Sequence, residues 1–369
     1  MAAAEKNRDD RVPLTQRVTL RDLAQRAGVS HVTVSRALRN DYSISTKRRG
    51  EIKRLAEEMG YRPDPSLSAL AAYRFARQTH KIQSALAWIN HWEQPEQLRA
   101  HREFDSYWRG AVKAAERFGY HLDDLRWTRD ISARRFEKIL LTRNVRGVLI
   151  PPHAIPPDWG EFDWSKFSVV RFGMSVRTPD SHLVTADQLR GTVMAIQKIS
   201  SYGYQRIGMV VGAELDTNIG GNYTGGFFAA QKLFKMGNAL SLLLINPEGV
   251  HEGKEDTPMT MARLRQPLKQ WLEKHRPDAV LTTDARVPGL IRELGYHIPQ
   301  DIAVAGTSVS DIPVDAGINQ NSEMIGRIAV ETLVSQINLN ERGQPLAPCR
   351  ILVESSWQDG KSLPRKSSR

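Results

Sequence analysis

In the stretch RAGVSHVTVSRALRN (26–40), the side chains of His31, Val32, Ser35, Arg36 and Arg39 recur where a helix would turn them to one side. That set can read a nucleic acid: Arg forks onto guanine or grips phosphate, His and Val suit base edges and the thymine methyl, and Ser35 with Thr33 suits phosphate oxygens. A second set, Asn90, Trp92, His153 and Asp284, stands at or just beyond the ends of apolar, strand-like runs. There a Trp offers a stacking face and Asn and Asp offer hydrogen bonds to a small ligand; ordinary polar loops around a partly packed Trp are the competing reading. No HExxH, GxGxxG or GxSxG spacing organises the acids, histidines and serines, and GGNYTGG lacks the spacing of a phosphate loop. The one cysteine, Cys349, excludes an internal disulfide and any CxxC site. No catalytic residue, metal ligand or cofactor is therefore expected.

Three short helices must position the first set. Leu20, Leu23, Ala24 and Ala27 follow helical spacing behind a Thr19 cap, and Gly28 supplies a left-handed stop. Ser30 caps the second helix, which turns Val34, Ala37 and Leu38 inward. Ser45 caps the third, whose buried stripe is Ile52, Leu55, Ala56 and Met59 and whose end is Gly60. Helix, glycine turn and helix at this spacing make a helix-turn-helix, in which the second helix enters the major groove. Lys47, Arg48 and Arg49 crowd the first turn of the third helix, against its dipole; a docked phosphate would relieve them, or the cost is simply tolerated.

From Ile82 onward apolar runs alternate with amphipathic stretches. Strands are expected at 84–89, 147–151, 167–172, 206–212, 240–245, 278–283 and 301–306. Helices are expected at 104–118, 132–143, 187–202, 224–236, 260–275, 287–294 and 322–338. Such alternation predicts parallel sheets with right-handed crossovers, and the length of this part suits two doubly wound subdomains. The expected divisions are a disordered arm (1–17), the helix-turn-helix domain (18–62), a hinge helix and linker (63–80), the α/β domain (81–360) and a disordered basic tail (361–369).

Charge follows the same division. The net charge is +11, yet residues 1–80 hold 16 basic against 9 acidic residues while the remainder holds 36 against 32. A concentrated basic excess is how a compact polyanion-binding module looks. The opening MAAAEKNRDDRVPLTQR is polar where a signal peptide needs an apolar stretch, and no 18-residue apolar run follows. A soluble, cytoplasmic protein without a membrane partner is expected.

VTLRDLAQRAGVSHVTVSRALRN and ISTKRRGEIKRLAEEMGYRPDPSLSAL closely resemble the LacI/GalR (lactose-repressor) family of transcription regulators. GYQRIGMVVG, GGFFAAQKLF, PDAVLTTD, IPQDIAVAG and INQNSEMIGRIAVETLV follow in that family's order, so the likeness spans nearly the whole chain. The resemblance implies a periplasmic-binding-protein-like α/β domain that closes on a small effector at the carboxyl ends of its strands, where Trp92 could stack on a sugar ring while Asn90 and Asp284 bind hydroxyls. It also implies a homodimer whose helices read a palindromic operator in double-stranded DNA, and hence a bacterial, nucleoid-associated protein. His31, Val32 and Arg36 match base-contacting positions; Thr19, Ser30, Thr33 and Ser35 match phosphate contacts and caps. Leu20, Arg39 and Arg48 join the DNA-facing set, and Leu70 matches a leucine that wedges into the central base step.

This chain departs from the family pattern at four positions. Leu67 replaces a small hinge residue, Arg39 a common Asn, Gly221 an Arg and Ser308 an Asp, the last two being residues that would clamp ligand hydroxyls. The expected function is a sequence-specific regulator, a repressor, modulated by a sugar-like effector. An architectural or effector-independent DNA-binding protein with a vestigial pocket is the main alternative. A transporter's solute-binding protein would leave the first domain unexplained, and an enzyme would lack any organising motif.

Overall fold

The computed structural model describes residues 18–38, 44–61, 84–153, 155–236, 242–245 and 258–366, with backbone only for 258–260. Two compact units divide the chain, 1–77 and 78–369. The expected arm, the hinge helix, Arg39, Leu67 and Leu70 lie outside the described residues.

The first unit holds α1 (Leu20–Ala27), α2 (His31–Leu38) and α3 (Thr46–Glu58). Thr19 and Asp22 form a reciprocal capping box at α1, satisfying amide groups that have no partner inside the helix. Gly28 ends α1 at φ 65°, a left-handed conformation that a side chain would strain. The Ser30 hydroxyl accepts from Thr33 N at 3.1 Å and so opens α2. Leu23, Val34, Ala37 and Ile52 are buried at the centre, as the helical spacing predicts.

In the second unit the strands are β1 (Ser84–Asn90), β2 (Tyr120–Arg126), β3 (Gly147–Ile150), β4 (Ser168–Phe172), β5 (His182–Ala186) and β6 (Ile207–Gly212). They continue with β7 (Leu242–Ile245), β8 (Ala279–Thr282), β9 (Ala303–Gly306), β10 (Gly317–Asn319), β11 (Arg350–Val353) and β12 (Ser356–Gln358). Helices α4 (Pro95–Ala100), α5 (Arg102–Arg117), α6 (Ala133–Thr142), α7 (Gln188–Ser201), α8 (Ala213–Asn218) and α9 (Asn222–Leu233) intervene. They are followed by α10 (Pro258–His275), α11 (Val287–Glu293) and α12 (Ser322–Leu339). One sheet runs β11-β5-β4-β3-β1-β2 and the other β12-β10-β9-β8-β6-β7. Every pairing is parallel except β10 with β12, whose short edge strand runs back against its neighbour.

Alternate side chains of each central strand feed opposite cores. Leu86 and Trp88 of β1 enter one, Ala87 and Ile89 the other, and Val210 of β6 parts from Met209 and Val211 in the same way. Burial on both faces is why these strands read as continuous apolar runs. The chain crosses between the two subdomains at 186–188, 319–322 and 353–356, a three-segment hinge.

Two expectations need correction. Strands β2, β5, β10, β11 and β12 and helices α4 and α8 were not anticipated; they are short or polar, and their neighbours in the sheets and cores hold them. The tail does not hang free over 361–366. Leu363 is buried in the second subdomain's core, Tyr204 donates to Pro364 O at 2.8 Å, and Lys366 pairs with Asp278 at 2.7 Å. Cation–π contacts of Arg365 over Tyr202 and Lys366 over Tyr204 add to that anchoring.

Candidate functional site

On α2, Val34 and Ala37 are buried and Leu38 half-buried, which leaves His31, Val32 and Arg36 exposed together on the other side. Val32 is 46% exposed, so its methyl groups are open to an apolar contact such as a thymine methyl. Thr33 and Ser35 are half-buried at its margin, with the Thr33 hydroxyl 2.9 Å from that of Ser30. Thr19 is exposed; its amide and hydroxyl both donate to Asp22 at 2.7 Å, and those bonds hold the Asp22 carboxyl below its usual range.

Two members of the expected DNA-facing set do other work as well. Leu20 is half-buried against the three-helix core. Arg48 donates to Ala27 O and to Glu51, each at 2.8 Å, so its guanidinium braces the end of α1 against α3. The acid one turn on and that carbonyl offset the cation's conflict with the helix dipole without a phosphate.

The expected ligand residues fall into two separate places. Asn90, Trp92 and His153 meet at the carboxyl ends of β1 and β3. Asn90 donates to Pro95 O at 2.8 Å and accepts from Trp92 N at 3.1 Å. Trp92 is 5% exposed, donates to Pro152 O at 2.9 Å and lies among His101, Phe104 and His153. His153, 2% exposed, donates from Nδ1 to Pro151 O at 2.8 Å and accepts from His91 N at 3.2 Å; burial pushes its pKa down to about 3. All three therefore have their polar atoms committed within the protein, and Trp92 is packed rather than presented. Asp284 lies beyond β8 in the other subdomain, where Arg286 Nε holds it at 2.9 Å. The expected hydroxyl clamp is thus an internal ion pair.

A second polar cluster was missed. Glu103, in the first turn of α5 and 5% exposed, accepts hydrogen bonds from Ser308 and Ser322. Asp311 accepts from Arg102 N at 2.8 Å, capping the same helix, and its own amide donates to Ser308 Oγ at 3.2 Å. Gln320 donates to Thr307 O at 3.1 Å, and the buried Tyr223 beside them has its pKa pushed up to about 12 by desolvation. In sequence Glu103 reads as an ordinary acid in a helix's first turn. The only signal was Ser308 standing where the family has Asp, and the structure gives that serine a carboxylate partner. Gly221 opens α9 at φ 74°, left-handed, while Asp216 accepts from Tyr223 N at 3.0 Å and Thr224 N at 3.3 Å.

Residues 19–64 match the family model described as "Bacterial regulatory proteins, lacI family", and residues 196–363 match "Periplasmic binding protein-like domain". The chain belongs to the LacI family. Like other LacI-family members it is a DNA-binding transcription regulator, with a helical helix-turn-helix unit and two parallel-sheet α/β subdomains. The ribose operon repressor of Escherichia coli (strain K12) is 26% identical over 367 residues, covering 91% of this chain and 98% of that protein. Among solved structures, a complex of the transcriptional regulator CelR with cellobiose has a TM-score of 0.54 at 20% identity, covering 94% of this chain and all of that one. The lac repressor dimer bound to operator and the anti-inducer ONPF has a TM-score of 0.51 at 18% identity, covering 95% and 100%. No helix among the described residues is long and apolar enough to cross a membrane.

Proposed function

We propose that the protein is a repressor that binds a palindromic operator as a homodimer and changes its grip when a sugar-like effector enters the cleft between the α/β subdomains. The outward face of His31, Val32 and Arg36 over a buried Val34 and Ala37 carries the reading. Thr19, Ser30, Thr33 and Ser35 flank that face with hydroxyls for phosphate. By the family resemblance, Arg39 extends the face and Leu70 wedges the operator's central step. The lac repressor's dimeric complex with operator and the cellobiose complex of CelR support the assembly and the ligand class. Effector and operator would be coupled by about 1–3 kcal/mol, transmitted by subdomain closure.

Selection from random duplexes tests it. A palindrome should be enriched, and Leu70→Ala should bind it less tightly; binding with a salt slope and no enriched site would overturn the reading.

The satisfied polar atoms of Asn90, Trp92 and His153 favour a second reading, in which the protein works without an effector. Calorimetric titration with a panel of mono- and disaccharides, with the selected operator present and absent, separates the two. Heat and a changed operator affinity support the effector, and silence across the panel supports the second reading.

A further inference from the structure

Glu103 brings a carboxylate from one subdomain to the edge of the other. Helix α5 packs in the first subdomain's core through Tyr107, Ala111, Ala114 and Ala115. Ser308, one of the two hydroxyls on the carboxylate, follows β9 of the second subdomain; Ser322 begins α12, at one of the three hinge crossings. Asp311, from the same loop as Ser308, caps α5 through Arg102 N and Glu103 N at 2.8 and 3.4 Å. The 307–311 loop and the head of α5 are therefore fastened together across the cleft.

The charged and titratable groups around this contact do not neutralise it. Asp311 faces it from the loop with His101 beside it, Tyr107 from α5 and Tyr223 from α9. On α12 the neighbouring Glu323 is occupied by Arg109 and Lys113. Among the described residues no cation pairs with Glu103. An ionised carboxylate buried in such a place gains two hydroxyl donors but loses water and feels Asp311.

We propose that Glu103 is a proton-linked latch between the two α/β subdomains: protonated it holds the cleft shut, and ionised it drives the head of α5 away from the 307–311 loop. Burial and Asp311 push its pKa up to about 7 in the closed form, against 4.5 for a solvated glutamate. The closed form thus binds the proton more tightly. Closure is favoured at low pH, and the closed-to-open ratio falls about tenfold per pH unit between about 5 and 7. The latch is independent of which operator or effector the protein takes.

The test is energy transfer between dyes on Arg134→Cys in α6 and Lys232→Cys in α9, in the full-length Cys349→Ser protein, from pH 5.5 to 8. A transfer change that develops as pH falls below 7, with its midpoint between the open-form and closed-form pKa values, and that disappears in Glu103→Gln is the expected result. Ser308→Ala, which removes a donor to the anion, should move the midpoint to higher pH. No transfer change in the parent, or the same change in Glu103→Gln, overturns the latch. Should Glu103→Gln fail to fold, Ser308→Ala decides: an upward midpoint supports the proposal and an unmoved one refutes it.

Discussion

Arg36 and Val32 stand one helical turn apart on the exposed side of α2, and neither contributes to the core beneath. Their substitution should therefore separate binding from stability. Arg36→Ala is expected to leave the melting temperature unchanged, to weaken operator binding by about 1–3 kcal/mol, and to relax specificity at one position in each half-site. Repeating the duplex selection with the variant checks this. His153 makes the opposite kind of prediction, because its ring is internal. Its folded pKa of about 3 lies below the ordinary 6.5, so under pH 6.5 the unfolded chain takes up a proton that the folded one refuses. Stability from this site is complete above about pH 6.5 and is lost as pH falls toward 3. Urea unfolding of His153→Asn across that range should show a lower plateau and a slope shallower by about one proton.

Helices α5 and α12 cross at two glycines. A Cβ on Gly110 would sit 2.0 Å from Glu323 O, and one on Gly326 would sit 2.0 Å from Tyr107 O. The obstacle in each case is backbone, so neither helix can accommodate even a methyl without moving. Gly110→Ala and Gly326→Ala should each destabilise the α/β unit by roughly 2–4 kcal/mol, read as a lower urea midpoint, despite alanine's better helix propensity. The same crossing sets Glu103 at the head of α5 against Ser322 at the head of α12, so the element that packs most tightly also places the latch. In the first unit the capping box closes the start of α1 and the Arg48 brace ties its end to α3, while His31, Val32 and Arg36 of α2 stay exposed.

At the scale of the whole molecule, the C-terminal segment closes the second subdomain. Leu363 fills its core and Lys366 reaches the half-buried carboxylate of Asp278, which backbone amides and Lys366 hold below the usual range against the pull of burial. Ending the chain at Gly360 should lower the unfolding temperature of the α/β unit by several degrees, because losing a buried leucine alone costs about 2–4 kcal/mol. Scanning calorimetry of the truncated protein checks this; an unchanged transition would mean that the segment is only draped on the surface. The basic excess of residues 1–80 belongs to this scale too: under the proposed function it should set how steeply DNA binding falls with salt, whereas sequence choice should rest on the outward side chains of α2.

The sequence by itself determined the three-helix unit, its caps and turns, the outward residues of α2 and the alternation that builds two parallel sheets. These are local or periodic properties: a Thr cap, a glycine at positive φ and a 3.6-residue stripe act over one or two turns of chain. Only the tertiary structure decided what lies at the strand ends. Asn90, Trp92 and His153 have the composition of a ligand site, but whether their polar atoms face a cleft or a neighbouring carbonyl depends on loops 60 residues apart in sequence. Glu103 was illegible for the same reason: its partners Ser308 and Ser322 lie more than 200 positions away, and a carboxylate's protonation is set by what surrounds it in space.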